Sequence, residues 1–565
     1  MLVAFPGNDR SADEESIDYI SGNNKSGKNK SVESISGNNK SGKDNSIYGI
    51  SGKNKSGDNK YKEDQYGSGR IISFGKRSDI INEISAGGYK LSTGEFKLNA
   101  GGYKLSAGEK NIAAEGKNIT ADEYKLGTGE IIISADERII TEFHSDSVLT
   151  PALVNAHTHL QYTGMSPVGK SRYKGMDDWA VAFNSLYKSY SEEVALDKSH
   201  TEEVAEAAYD KSNSKESESE KSNAREAAFD KSRQEKPESD KWGEWAAEGA
   251  RMLLESGTAA VADIITDPSA RASLHGSGLK GISFYEVMNV TEEDWLGGYE
   301  EQLKKDLMSI PRPPQVGISP HTPFSVDLLP LEKISDMALI EKIRLHIHVG
   351  EIAMEAALDS PSDIGTSGSG FRTKDFRNMR LSGEGKSACK LLADIGFFEN
   401  ECHIAHGIYM NAEDRETLRK NNISVALCPR SNSVIGLDEA PVAAYLKEGN
   451  QISVGTDSLA SVTSLNLLED TAELAAIAKK QSYSKKDLFE KLFRAATMGG
   501  AEALGLNSGP GRIALIEEGA AADFACFDMP FSADIRDDEL YEYLVCSIPK
   551  TTTTIIDGHI RYSCL

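Results

Sequence analysis

The sequence predicts a (β/α)₈ barrel, on two observations. Short β-branched runs alternate with amphipathic stretches over the C-terminal two thirds of the chain. Side chains able to do chemistry cluster at the C-terminal ends of those runs. The runs are Val148–Asn155, AAVADI (259–264), KGISFYEV (280–287), QVGISPH (315–321), IRLHIHVGE (343–351), CHIAHG (402–407), ISVALCP (423–429) and ISVGTD (452–457). Helix-like stretches such as WGEWAAEGARMLLESG (242–257) and SACKLLADIGFF (387–398) lie between them. Strands alternating with helical patterns indicate βα units and a parallel sheet. Eight such units make a barrel whose chemistry sits at the C-terminal strand ends.

The N-terminal part reads differently. Of 565 residues, 63 are Lys or Arg and 87 are Asp or Glu, a net charge of −24, and only 39% are hydrophobic. A typical soluble chain carries about 45–50% apolar residues with Gly included, so part of this chain is not core. Residues 1–66 repeat SGNNKSG at 21–27 and 36–42 and SGKNKSG at 51–57. Such sequence cannot bury enough apolar surface to offset its ordering entropy, and it is expected to be a disordered tether. Ten basic and ten acidic residues in this stretch exclude a basic nucleic-acid arm. The N-K-S triplets at Asn24, Asn29, Asn39 and Asn54 match a glycosylation acceptor, yet the opening MLVAFPGNDRSADEE lacks the apolar length of a secretory signal. No run of about 18 apolar residues predicts a membrane helix. Six Cys without a C-x-x-C pattern fit a reducing cytosol rather than a disulfide framework. The expected partner is a small molecule, not nucleic acid or membrane; a homo-oligomer is left open.

Residues 67–150 carry AGGYKLSTGE (86–95), AGGYKLSAGE (100–109) and EYKLGTGE (123–130), whose alternation and Gly-containing turns suit short hairpins. The stretch 196–240 repeats AAYDKSNSKESE and AAFDKSRQEKPESD with eight basic and thirteen acidic residues, and reads as a solvated insertion in the barrel.

The strand ends hold the chemistry. LVNAHTHL places His157 and His159 at i and i+2, so both imidazoles face one side. IRLHIHVGE carries His348 and, three residues on, Glu351; CHIAHG ends near His406 and ISVGTD at Asp457. These groups suit a first-row divalent ion with one carboxylate left to carry protons. A lone buried His is more often a hydrogen-bonded core residue, but recurrence at successive barrel mouths argues against that here. His346 shares a face with His348 one layer deeper, where packing and ligation are equally open. His403 is expected to point the other way and to be structural.

In order, VLTPALVNAHTHL, SPHTPF, HVGE, AHGIYM, CPRSN and GTDSLAS resemble the metal-dependent amidohydrolase superfamily, in its adenosine- and aminodeoxyfutalosine-deaminase and chlorohydrolase branch. The resemblance covers about 145–565 without the acidic insertion, plus GRIISFG at 69–75. It implies a barrel at 151–508 beside a small β-sandwich made from both chain ends, 67–150 and 509–565. It further implies one divalent ion, Zn²⁺ ahead of Fe²⁺, on His157, His159, His348 and Asp457. Glu351 would shuttle protons, His406 would hydrogen-bond the activated water beside Asp457, and His321, Arg430 and Asn432 would touch substrate. No Lys stands at a comparable strand end to bridge a second metal. The family's usual Pro-Gly before the first strand is Pro151-Ala152 here, and HVGEIAME replaces the commoner HVAESPAE.

The implied activity is hydrolysis of a C–N bond, with hydrolytic deamination of an adenosine- or aminodeoxyfutalosine-like nucleoside as the leading expectation. A chlorohydrolase acting on a cyclic amidine is the alternative, and a non-catalytic barrel scaffold is the rival of another class. GMSPVGKS (164–171) formally fits a phosphate loop, but HTHLQYT before it and RYKGMDDW after it supply neither the strand nor the helix; it is expected to line the substrate pocket instead. Cys402 and Cys428 lack the base a nucleophilic thiol needs.

Overall fold

The computed structural model describes residues 147–190, 241–358, 385–517, 519–529 and 536–564, together with seven short strands before residue 147. The chain divides into two compact units, Met1–Phe143 and His144–Leu565.

In the larger unit eight strands lie parallel in chain order. They are β1 (Leu153–Thr158), β2 (Thr258–Ile265), β3 (Lys280–Val287), β4 (Gln315–Pro320), β5 (Leu345–Val349), β6 (Cys402–His406), β7 (Ser424–Leu427) and β8 (Ile452–Val454). The two edges meet where Thr158 bridges Asp457 and the Asp457 and Thr456 amides donate to the His157 carbonyl at 3.0 and 3.1 Å. The result is a nearly closed (β/α)₈ barrel. Parallel strands covered on both faces are near-continuously apolar, which is why these runs read as strands without alternation. All eight residues of β2 are buried. At the β2–β3 contact a side chain on Gly281 would come within 1.9 Å of the Val261 carbonyl, and its φ of +128° also demands glycine. The stretch expected as helix at 242–257 is helical over Lys241–Glu255.

One expected strand is in fact two. Val148–Asn155 breaks at Ala152: Ser147–Pro151 joins an antiparallel sheet, and β1 starts at Leu153. The Ala152 amide donates to Asp523 and the Leu153 amide to Gly257, so the chain changes sheets between them. That antiparallel sheet runs Ser147–Pro151, Phe524–Asp528, Thr551–Ile556, His559–Ser563, uniting a strand before the barrel with three after it. Lys280, at the start of β3, ties it down through Asp523 at 2.8 Å and Asp557 at 2.6 Å.

The smaller unit holds a five-stranded sheet ordered Ser73–Gly75, Leu2–Pro6, Ile139–His144, Gly129–Ile133, Tyr124–Leu126. A separate hairpin pairs Phe96–Leu98 with Leu105–Ala107. These short antiparallel pieces match the hairpin reading of 67–150. Leu2–Pro6 is a strand inside the stretch expected to be a tether; the SGNNKSG repeats and the acidic insertion 196–240 lie outside the described residues. Among the described residues no helix is long and apolar enough to cross a membrane.

Candidate active site

The C-terminal mouth of the barrel gathers His157 and His159 from β1, His348 from β5, His406 from β6 and Asp457 just past β8. His157 Nε2 and His159 Nε2 each lie 3.9 Å from Asp457 Oδ1. Ligand atoms of His157, His348 and His406 fall within 4.8 Å of one another, as do those of His157, His159 and Asp457. Two of these residues escape strand alternation through left-handed backbone, His406 at φ +71° and Asp457 at φ +60°. Such strain in non-glycine residues concentrates at functional sites.

Several of these side chains are oriented by a second contact, whereas His159 Nδ1 is buried with no hydrogen-bond partner among the described residues. His348 Nδ1 lies 2.7 Å from the His321 carbonyl, which can only accept, so Nδ1 carries the proton and Nε2 keeps its lone pair. Asp457 Oδ2 accepts from the Ser431 and Ser461 hydroxyls at 2.7 and 3.2 Å, which leaves Oδ1 facing the imidazoles. Glu351 Oε1 stands 3.5 Å from His406 Nε2. The loop carrying Glu351 is pinned by Glu355, whose carboxylate accepts the Gly350, Glu351 and Ile352 amides at 2.9, 2.8 and 3.1 Å.

Burial sets the protonation states. It lowers His159 to about 4 and His321 to about 3, and drives His157 and His348 well below the ordinary imidazole range. These imidazoles are therefore neutral at pH 7, as ligation requires. Burial also raises the Glu351 carboxyl above its ordinary value. His157 Nε2 is buried with no hydrogen-bond partner among the described residues, a cost that a bound cation would remove. Three imidazoles, one carboxylate and an orphaned ring nitrogen fit a divalent ion.

A pocket of about 180 Å³ opens onto this group, lined on one side by His321, Glu351 and His406 and on the other by Tyr162, Trp179 and Phe183. The aromatic wall comes from a helix at 176–190 and the short helical turn Leu160–Met165. A more open cavity beside Tyr409, Pro441 and Lys447 contains none of the ligating side chains.

Several expectations are corrected. Arg430 does not reach the pocket: its guanidinium is held by Asp470 at 2.7 Å, by Glu469, and by the Ser464 and Asn466 carbonyls. Asn432 turns to His406, with Oδ1 at 3.2 Å from Nδ1, and so steadies that ring instead of meeting substrate. His403 is structural but points inward, its Nε2 at 2.9 Å from the Ala156 carbonyl and its ring against His346. Its spacing to His406 sets the two side chains apart, and the left-handed turn at His406 carries that ring to the mouth while His403 stays against His346. The 164–171 segment packs beneath the pocket and does not line it: a side chain on Gly164 would strike Trp245 at 2.1 Å. Burial raises the thiols of Cys402, to about 12, and Cys428, so neither is a nucleophile at neutral pH.

The sequence reading missed Glu286, Glu355 and the Tyr162–Thr266 pair. Glu286 is next to last in KGISFYEV, near a strand end, the same signal that exposed the histidines, and could have been found by it.

The model of the amidohydrolase family matches residues 148–561. The chain belongs to the amidohydrolase family. It is 30% identical over 339 residues to a 5-methylthioadenosine/S-adenosylhomocysteine deaminase of Thermococcus kodakarensis, covering 57% of this chain and 72% of the relative. It is 23% identical over 318 residues to a 5'-deoxyadenosine deaminase of Methanosphaera stadtmanae, covering 54% and 68%. Among solved structures, a zinc-bound adenosine deaminase of Xanthomonas campestris shares the fold at a TM-score of 0.53 and 19% identity, covering 78% of this chain and 89% of that one. This amidohydrolase is thus a metal-dependent hydrolase acting on C–N bonds other than peptide bonds.

Proposed function

We propose that this amidohydrolase deaminates an amino-purine nucleoside of adenosine or aminodeoxyfutalosine type, releasing ammonia. The observation that carries the reading is Glu351, buried at the pocket rim, 3.5 Å from His406 Nε2 and beside the His157–His159–His348–Asp457 group. His157, His159, His348 and Asp457 would hold one divalent ion, Zn²⁺ in preference to Fe²⁺. Such an ion lowers the pKa of a water from 15.7 toward about 7.

The remaining work falls to the chain's own residues. Asp457, steadied by Ser431 and Ser461, and His406, steadied by Asn432, orient the attacking water and accept its proton. Glu351, its carboxyl raised above the ordinary value by burial, protonates the ring nitrogen next to the attacked carbon, is recharged with the water proton relayed by Asp457 and His406, and then passes that proton to the departing amine, which leaves as ammonia. His321 faces the ring, and Tyr162, Trp179 and Phe183 offer a flat apolar wall to a purine. The deaminase relatives support the nucleoside class; adenosine- and aminodeoxyfutalosine-like compounds are its first candidates.

The test pairs elemental analysis of the purified protein with ammonia release from a panel of amino-purine nucleosides, pyrimidines and triazines. About one zinc per chain and ammonia from a purine nucleoside are expected. A metal-free protein releasing ammonia from no compound would sink the reading, and chloride release from chlorinated triazines alone would make it a chlorohydrolase.

A further inference from the structure

Glu286 stands near the end of β3 with 5% of its surface exposed, at the wall of the pocket. Its Oε2 accepts the Thr266 hydroxyl at 2.6 Å, and Thr266 Oγ1 accepts the Tyr162 hydroxyl at 3.2 Å. Gln161 Oε1 in turn accepts the Thr266 and Asp267 amides at 3.1 and 3.0 Å, so the whole support is fixed from β1 and β2. Glu286 Oε1 is buried and has no partner among the described residues. A Glu286 oxygen and ring nitrogens of His159 and His348 lie within 4.8 Å of one another. One carboxylate oxygen is therefore tethered and the other is unpaired, on a side chain that lines the pocket beside His159 and His348. A buried acceptor left unsatisfied is costly, and a ligand that brings a donor removes that cost.

We infer that Glu286 contacts the substrate directly and accepts a hydrogen bond from the amino group that is displaced. The inference rests on the deamination reading above. The attacked carbon must lie beside His159 and His348, and it carries a ring nitrogen, a ring carbon and the leaving group. Glu351 serves the ring nitrogen, which leaves the amino group for the second carboxylate. Glu286 transfers no proton. The water oxygen becomes the ring carbonyl, the C–N bond breaks, and the amine departs as ammonia with the proton from Glu351. A carboxylate at that position attracts N–H groups and repels halide, so Glu286 is the residue that selects amine over chloride.

The test uses the zinc-loaded protein and two ligands of equal shape, an aminopurine ribonucleoside and its counterpart with methyl in place of the amino group. Wild type is expected to bind the amino compound at least about 10-fold more tightly, by calorimetry or inhibition. Glu286→Gln and Glu286→Ala should erase that preference while zinc content and melting temperature stay within error. Thr266→Val, which frees the tethered oxygen, should weaken it in part. A preference unchanged in both Glu286 variants, absent from wild type, or lost together with the zinc would overturn the inference. Ammonia release by wild type separates the two failures: with it, only the role of Glu286 falls, and without it the deaminase reading falls on its own.

Discussion

His157 Nδ1 lies 3.1 Å from His346 Nε2, with the two rings 2° from parallel. With His157 Nε2 kept as the lone-pair side facing the metal group, the proton belongs on Nδ1, and His346 must accept it at Nε2. His346 then donates from Nδ1 to Ser319 Oγ at 2.9 Å. His346 is thus neither a ligand nor mere filling: it sets the tautomer of a ligand. Partners of this kind typically change metal affinity by about 10–100-fold. His346→Phe, which keeps the ring and removes the acceptor, should weaken zinc binding by that factor in a chelator-competition titration. An unchanged zinc affinity would return His346 to packing.

Glu351→Gln keeps the size and hydrogen-bonding reach of the side chain but cannot carry a proton. Zinc content should stay at the wild-type level while kcat falls by about 10²–10⁴, the range of general acid–base catalysis. Full activity in this variant would remove Glu351 from the proton path.

Arg430 gives a test that separates a substrate contact from a structural one. Its partner Asp470 is fully buried, so Arg430→Met leaves a carboxylate uncompensated. Breaking a buried pair from one side costs about 3–5 kcal/mol. Denaturant unfolding should show a loss of that order, with KM of the folded protein close to wild type. A stable protein with a strongly raised KM would restore Arg430 to the substrate.

Asp263, in β2, is buried, accepts the Leu160 amide at 3.0 Å and is bonded by the Ser273 hydroxyl. Burial raises its carboxyl to about 7 from an ordinary 3.8. The folded state therefore holds this proton more tightly than the unfolded chain. The resulting stabilisation is complete below the unfolded value and is lost as pH rises through 7. Asn at this position cannot ionise, so Asp263→Asn should lose less stability between pH 5.5 and 8.5. The melting-temperature drop across that window should shrink by about 2 °C or more.

Much of this enzyme is legible in its linear sequence. The β-branched runs announce eight strands because a barrel strand buried on both faces must be apolar throughout. His157, His159, His348, Glu351, His406 and Asp457 stand out because the chain places each at the end of such a run, where the barrel fold gathers chemistry. What the linear sequence could not decide depends on where side chains turn. Arg430 sits in a promising motif, yet Asp470, 40 residues further along, captures its guanidinium. His403 packs inside the barrel against His346, while a left-handed backbone at His406 redirects that residue's own side chain, which no spacing rule anticipates. Glu286 acquires meaning only when Thr266 takes one of its oxygens, the other is left unpaired, and the barrel brings the side chain beside His159 and His348. Ligand identity follows from local pattern and strand position. Which oxygen is free, which tautomer is held and which charge is already paired follow from contacts between residues far apart in the chain, and only the closed barrel makes them.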